Sequence, residues 1–385
     1  MKRLGLVAGE ASGDLIAANA LGRLQASQHC ALMGVGGQAL QSLGMDCWVP
    51  SDRLAVRGYV EVLAHLPGLL RLRRQLVRRF SESSLDLFLG VDAPDFNLGL
   101  ARQLKARGLR TAHLVSPSIW AWRADRLAAI EQAVDTMLCL FPHEPPLYRG
   151  RRTQALYVGH PLADRIPRVI DRVQARQALG LAGDRPVLAL MPGSRSAEIA
   201  RLGPMFLQVG QRLSREFQVC LPAASVDVAK QIRGLAQWSA AQASGLRLLE
   251  PAPGPRAPDS DPLSYAVLRA ADLGLIASGT ATLEAALHGV PMVIAYQVPA
   301  LTYRLMRRKA VVQRIGLPNL LISPDLVDER LQDDCNPTEL TETLLRLVAD
   351  ESRRALQQRA FAELHQQLAQ DSALRVAQAL GEMLA

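Results

Sequence analysis

Apolar runs of strand length recur along this chain at residues 4–8, 31–35, 85–91, 110–115 and 136–141, and helical stretches separate them. A strand that is apolar on both faces belongs inside a parallel sheet, and parallel neighbours need helical crossovers, so the pattern predicts βαβ units. The alternation stops in a polar, arginine-rich stretch near 162–185 and restarts at 187–191, 218–221, 246–249, 273–277 and 292–295. One break between two such series predicts an α/β protein with two Rossmann-like domains, 1–165 and 166–340. Beyond Pro337, leucines at 340, 344, 347, 364, 368 and 380 keep helical spacing. They predict a helical tail over 341–385 that packs at the domain junction. At 385 residues, 49% of them hydrophobic, the chain can core two domains.

Five cysteines, widely spread and without a Cys-x-x-Cys pair, argue against a disulfide framework or a zinc site and fit a reducing cytosol. The apolar run at 4–8 is too short for a signal-peptide core or a membrane span, so a cytoplasmic protein is expected. An Asp-x-Asp metal pattern, Asp259-Ser260-Asp261, falls in the proline-rich loop 251–262, which does not present two carboxylates from a strand end. No metal and no cofactor is expected.

A net charge of +8 points to an anionic partner. The densest basic stretch, 66–80, places Leu69, Leu72, Leu76 and Phe80 at helical spacing with Arg71, Arg73, Arg74, Arg78 and Arg79 between them. Nucleic-acid surfaces stack bases on aromatics, and only 4% of this chain is aromatic, so an anionic membrane surface is expected and nucleic acid is not. Leu69, Leu72, Arg73, Arg74 and Leu76 are the expected membrane contacts. The same spacing also describes a solvated helix whose leucines face the core.

Two motifs follow strand-like runs in different halves of the chain. Gly90-Val91-Asp92-Ala93-Pro94-Asp95-Phe96-Asn97 offers an acid at a strand's carboxyl end, and Ser278-Gly279-Thr280-Ala281-Thr282-Leu283-Glu284 offers a helix start suited to phosphate. A carboxylate that deprotonates a hydroxyl, paired with a phosphate cradle, is the equipment of a transferase acting on a phosphorylated donor. Asp92 ends an apolar strand, where desolvation makes a carboxylate a stronger base; His113, inside the strand 110–115, is the competing base. Gly9, Glu10, Ser12 and Asp14 follow the first strand without the Gly-x-Gly-x-x-Gly spacing, so this acidic loop suits a hydroxyl-rich acceptor. Ser194 and Arg195 open the second domain's first crossover, and Arg195 can grip a phosphate through paired, charge-assisted bonds. Glu284, one turn into its helix, is placed to accept from ribose hydroxyls.

Taken with residues 115–123, which include Trp120 and Trp122, with Pro192-Gly193-Ser194-Arg195, and with Leu317-Pro318-Asn319-Leu320-Leu321, these motifs resemble the lipid-A-disaccharide synthase family through nearly the whole chain. The resemblance implies a GT-B fold, with two parallel-sheet domains facing across a cleft. It also implies inverting transfer of 2,3-diacylglucosamine from UDP-2,3-diacylglucosamine to 2,3-diacylglucosamine 1-phosphate, at the cytoplasmic face of the inner membrane. Asp92 then corresponds to the base and Glu10 to a cleft acid. Arg195, Thr280, Glu284 and Asn319 correspond to the UDP-binding set, with Ser194, Ser278 and Gly279 beside them. The partners implied are the UDP-activated lipid sugar, the lipid monosaccharide phosphate and the anionic bilayer; an oligomer is compatible with all of this. Competing readings are a soluble UDP-N-acetylglucosamine 2-epimerase on the same fold and a non-catalytic basic membrane-binding module.

Overall fold

The computed structural model describes residues 1–385 except 10, 55–58, 118, 120–125, 182, 253–259, 300–302 and 304–313. The chain forms two compact units, one of Met1–Asp164 with Gln367–Ala385 and one of Arg165–Gln366.

The first unit is built on seven parallel strands: β1 (Lys2–Ala8), β2 (Cys30–Gly36), β3 (Asp46–Pro50), β4 (Leu87–Val91), β5 (Arg110–Leu114), β6 (Thr136–Cys139) and β7 (Gln154–Tyr157). Their order across the sheet is β3-β2-β1-β4-β5-β6-β7. Successive residues of a strand face opposite ways, and both faces here are covered. Leu4, Leu6, Leu87 and Leu89 pack beneath α1 (Ala11–Ser27) with Leu21 and Leu24, and the final helix Ser372–Leu384 adds Val376 and Leu380. Val7 and Phe88 face the other way, toward Leu76, Val77 and Phe80 of the helix Tyr59–Glu82 and Leu100 and Leu104 of the helix Pro94–Lys105. Each such side chain contributes about 1.5–3 kcal/mol through removal from water.

The second unit repeats the plan with six parallel strands: β8 (Val187–Met191), β9 (Gln218–Pro222), β10 (Arg247–Leu249), β11 (Leu273–Ala277), β12 (Met292–Tyr296) and β13 (Asp328–Leu331), in the order β10-β9-β8-β11-β12-β13. Leu188, Leu190 and Leu275 pack with Phe206, Leu213 and Leu344 on one face. Ala189 and Ile276 pack with Val267, Leu268 and Phe361 on the other.

The C-terminal end is helical, as expected, and its helices divide between the two units. The helix Pro337–Ala349 and most of Glu351–Leu368 complete the second unit, whereas Ser372–Leu384 completes the first. The Asp164 carboxylate fastens that last helix by accepting from the backbone N–H of Asp371 at 2.9 Å and of Ser372 at 2.7 Å. These are orphan donors of a helix start, satisfied here by a residue some two hundred positions away.

In each sheet the strand order reverses once, between β1 and β4 in the first unit and between β8 and β11 in the second. Loops leaving the carboxyl ends on either side of such a reversal diverge and open a crevice, which is where ligands bind in open α/β sheets. Gly9 and residues 11–14, with residues 92–97, flank the first reversal. Pro192–Arg195 and Ser278–Glu284 flank the second.

Candidate functional site

In the first unit the end of β4 is strained. Asp92 and Ala93 adopt left-handed backbone, φ 51° and 41°, and Val115, just past the end of neighbouring β5, has φ 77°. Such conformations cost on the order of 1–3 kcal/mol each in residues other than glycine, and β-branched valine is among the least tolerant. Their grouping at the carboxyl edge of two adjacent strands marks that edge as a place where geometry overrides local stability. The Asp92 turn packs against the Gly9 loop so closely that a Cβ on Gly9 would lie 2.7 Å from Ala93 Cβ. Asp92 itself is half-buried, with its backbone N–H donating to Leu114 O at 3.0 Å.

The remaining predicted residues of this unit divide. Ser12 is exposed on the first turn of α1. Asp14, only 5% exposed, accepts from Gly37 N at 2.6 Å and Ala39 N at 2.9 Å. Its carboxylate satisfies orphan donors at the start of the short helix Gln38–Ser42 and so ties the first loop to the second. His113 is fully enclosed, and burial lowers its pKa to about 4, which keeps it neutral at physiological pH and removes it from any surface reached by substrate. Glu10, Trp120 and Trp122 lie outside the described residues.

In the second unit, Gly193 (φ 121°) turns the chain at the end of β8, and Arg195 stands at the N-cap of the helix Ser196–Leu213. Glu198, three residues on, accepts from the backbone N–H of Ser194 at 3.0 Å and of Arg195 at 3.2 Å. This is half of a capping box. It occupies those backbone donors, while the Arg195 side chain, 66% exposed, pairs with Glu198 Oε1 at 3.6 Å. Tyr296, at the end of β12, lies within the field of the same pair: burial raises its phenol pKa, Glu198 raises it further and Arg195 opposes.

The helix Thr280–Leu287 begins at Gly279, which supplies no side-chain cap, and Thr280 is exposed beside it. An uncapped helix start directs backbone N–H groups and the positive end of the macrodipole outward. Ser278 is not the cap; its hydroxyl donates to Ile315 O at 3.1 Å. Glu284 is largely enclosed, and desolvation lifts its carboxyl pKa to about 7. Asn319 is 3% exposed, its Nδ2 donates to Val327 O and Glu329 Oε1, both at 2.8 Å, and its Oδ1 accepts from Val327 N at 2.8 Å. These bonds order the loop that follows Gly316. Sequence reading missed Glu329, which sits in a strand, Asp-Glu-Arg-Leu, too polar to be recognised as one. The Asp261 carboxylate of the proposed Asp-x-Asp pattern pairs with Arg165 and Arg269, while Asp259 lies outside the described residues.

The helix Tyr59–Glu82 corrects the membrane-contact set. Leu76 is 2% exposed, and Leu69 and Leu72 lie half-buried against the same core. Arg73 turns inward, with its guanidinium 5.2 Å from the Phe96 ring centre and donating to Asp95 O at 2.9 Å. The outward ridge at i, i+4 spacing is Leu66, Leu70, Arg74 and Arg78. A groove of about 600 Å³ beside Lys105, Arg110 and Asp135 opens at the amino ends of β5 to β7, at the opposite strand ends from the first unit's reversal loops. Lys105 is already paired with Asp135 at 2.8 Å, and Arg110 donates to Met383 O at 2.7 Å. Among the described residues no group of His, Cys, Asp and Glu side chains is arranged to hold a metal ion, and no helix is long and apolar enough to cross a membrane.

The family profile described as Lipid-A-disaccharide synthetase matches residues 4–382. A lipid-A-disaccharide synthase from Chromobacterium violaceum is 43% identical over 387 residues, covering 99% of this chain and 97% of the relative. One from Pseudomonas aeruginosa is 43% identical over 386 residues, covering 99% and 98%. Among solved structures, a UDP-GlcNAc 2-epimerase from Neisseria meningitidis bound to UDP-GlcNAc superposes with TM-score 0.62 at 12% identity, over 100% of this chain and 99% of the other. MurG from Acinetobacter baumannii gives 0.58 at 14% identity, over 99% and 100%. Those two likenesses establish the GT-B fold; the sequence relatives go further, and by them this chain belongs to the lipid-A-disaccharide synthase family of glycosyltransferases.

Proposed function

We propose that this chain transfers 2,3-diacylglucosamine from UDP-2,3-diacylglucosamine to 2,3-diacylglucosamine 1-phosphate, with inversion, giving a β-1,6-linked disaccharide 1-phosphate and UDP. The observation that carries the reading is the strained Asp92 turn at the switch point of the first sheet. Asp92 takes the proton from the acceptor's 6-hydroxyl as that oxygen attacks the anomeric carbon. The bond to UDP breaks on the opposite face, so one displacement inverts the centre. Negative charge then grows on the departing diphosphate, where the exposed Arg195 side chain and the uncapped start at Gly279 and Thr280 neutralise it. Glu284 accepts from the ribose hydroxyls in its ionised form. That UDP-GlcNAc occupies a protein of this fold supports a nucleotide-sugar donor.

Both substrates carry acyl chains, so the reaction belongs at a bilayer surface, and the outward ridge of Leu66, Leu70, Arg74 and Arg78 has the chemistry to dock on anionic lipid at the cytoplasmic face of the inner membrane. Incubation with the two lipid substrates, followed by mass analysis, tests the proposal. Disaccharide 1-phosphate and UDP in equal amounts are expected. A donor that is consumed to free UDP without disaccharide, or that returns epimerised, would overturn it.

A further inference from the structure

We infer that Asn97 is a positioning residue for Asp92, its carboxamide holding the left-handed turn on which that carboxylate is mounted. The inference rests on the reading of Asp92 as the base. Asn97 lies in the helix Pro94–Lys105 and is fully buried. Its Nδ2 stands 2.8 Å from Asp92 O, 3.2 Å from Val91 O and 3.2 Å from Val7 O. Carbonyl oxygens only accept, so the atom facing three of them is the amino nitrogen. One amide thereby ties together the ends of β1 and β4 and the peptide that follows Asp92.

That peptide needs a tie. Asp92 (φ 51°) and Ala93 (φ 41°) are consecutive residues in a backbone region that disfavours both, and without a bond on the Asp92 carbonyl the pair relaxes toward extended geometry and takes the carboxylate with it. The neighbourhood is shaped to admit the amide. Gly90 pairs with His113 across β4 and β5, and a Cβ on Gly90 would stand 2.7 Å from His113 Nδ1 and 3.1 Å from Asn97 Cβ. His113 and Asn97 both close over Gly90, so that position admits no side chain. Asn97 is therefore not merely a first-turn residue of a helix: its side chain is committed to the strand ends that carry the site.

The test is a double-mutant cycle of Asn97→Ala and Asp92→Asn, with kcat, donor KM and thermal unfolding measured on the full chain. Asn97→Ala is expected to lower kcat about 10- to 100-fold with donor KM within about twofold of wild type, the loss a modest misplacement produces. In the Asp92→Asn background the same substitution should change kcat by less than about twofold, because the group it positions is already gone. An equal factor in both backgrounds, or wild-type kcat per folded Asn97→Ala enzyme, overturns the inference. Near-normal turnover of Asp92→Asn overturns the base reading and this inference with it; an inactive Asp92→Asn beside an unimpaired Asn97→Ala overturns the inference alone. Should Asn97→Ala fail to fold, Asn97→Ser keeps one donor and is read on the same cycle.

Discussion

Asn319 Nδ2 donates to Glu329 Oε1 at 2.8 Å, inside the second unit and with both side chains buried. Glu329 also accepts from Gly316 N at 2.9 Å and Ile315 N at 3.1 Å. From that loop the connection runs to the segment 278–284, since Ser278 Oγ donates to Ile315 O and Leu317 N donates to Thr282 Oγ1 at 3.3 Å. A buried carboxylate with several N–H donors is a strong fixed point, and here it fixes the polar side chains of the helix start proposed to receive phosphate.

Glu329→Gln replaces one accepting oxygen by an amino group facing N–H donors. It should destabilise the protein by about 1–3 kcal/mol, the cost of a buried group left unsatisfied. UDP affinity should fall by similar factors in Glu329→Gln and Asn319→Ala, and the double variant should lose little more than either, because both act through one loop. Calorimetric titration with UDP checks this. A large loss confined to Asn319→Ala would place that side chain on the nucleotide after all.

Asp92→Asn should lower turnover by about two to four orders of magnitude, the usual size of general-base loss, while UDP binds nearly as before. Arg195→Ala should show the converse, weakening UDP binding by about 1.5–3 kcal/mol, the scale of a hydrogen bond to a charged group. Titration and single-turnover rates on the same preparations separate the two. Normal turnover in Asp92→Asn would leave the base to be sought elsewhere, with Glu10 first.

What was legible in the sequence follows from what each strand must bury. The central strands β1, β4, β8 and β11 are enclosed on both faces and read as unbroken apolar runs, so they and the loops at their ends could be found without coordinates. The strands 46–50, 154–157 and 328–331 went unread. All three are sheet edges, half exposed, and carry sequences such as Gln-Ala-Leu-Tyr and Asp-Glu-Arg-Leu with little apolar continuity. The loop-tying bonds of Asp14 and Asn319 were not legible, because a polar residue that ties two loops together and one that binds a ligand look alike until their partners are known. The leucines of the basic helix failed for a related reason: spacing fixes which residues share a face, not whether that face meets the core.

Buried titratable groups predict opposite responses to pH in two variants. His113 titrates near 6.5 when unfolded and at about 4 in the fold, so the stability it permits is complete above 6.5 and is lost as pH falls toward 4. Glu284 titrates near 4.5 when unfolded and at about 7 in the fold, so it costs stability increasingly as pH rises through that interval. His113→Gln should therefore flatten the acid side of the unfolding profile, whereas Glu284→Gln should raise Tm at pH 8 and leave it nearly unchanged at pH 5. In a protein of two such units each kcal/mol appears as about 2–4 °C. Differential scanning calorimetry across pH 4–8 checks both, and parallel shifts at every pH would contradict the burial of these groups.

Membrane docking should divide the helix Tyr59–Glu82 into two sets of residues with different consequences. Leu66 and Leu70 are 42% and 38% exposed, and Arg71, Arg74, Arg78 and Arg79 are exposed around them, whereas Leu76 is enclosed. Arginines near an anionic bilayer contribute on the order of 1 kcal/mol each, and added salt weakens them as the Debye length shrinks to about 3 Å near 1 M. Two half-exposed leucines add an apolar contribution that salt does not remove. Substituting glutamine at Arg71, Arg74 and Arg78 should thus reduce binding to anionic vesicles and abolish its salt dependence, and Leu66→Ser with Leu70→Ser should remove the salt-resistant remainder. Both sets belong to the first unit, so UDP affinity and Tm should hold. Leu76→Ala should behave differently, losing about 2–5 kcal/mol of stability with little direct effect on vesicle binding by the protein that remains folded. Vesicle sedimentation at low and high salt distinguishes these outcomes, and undiminished binding by the combined outward variant would assign the bilayer contact to another surface.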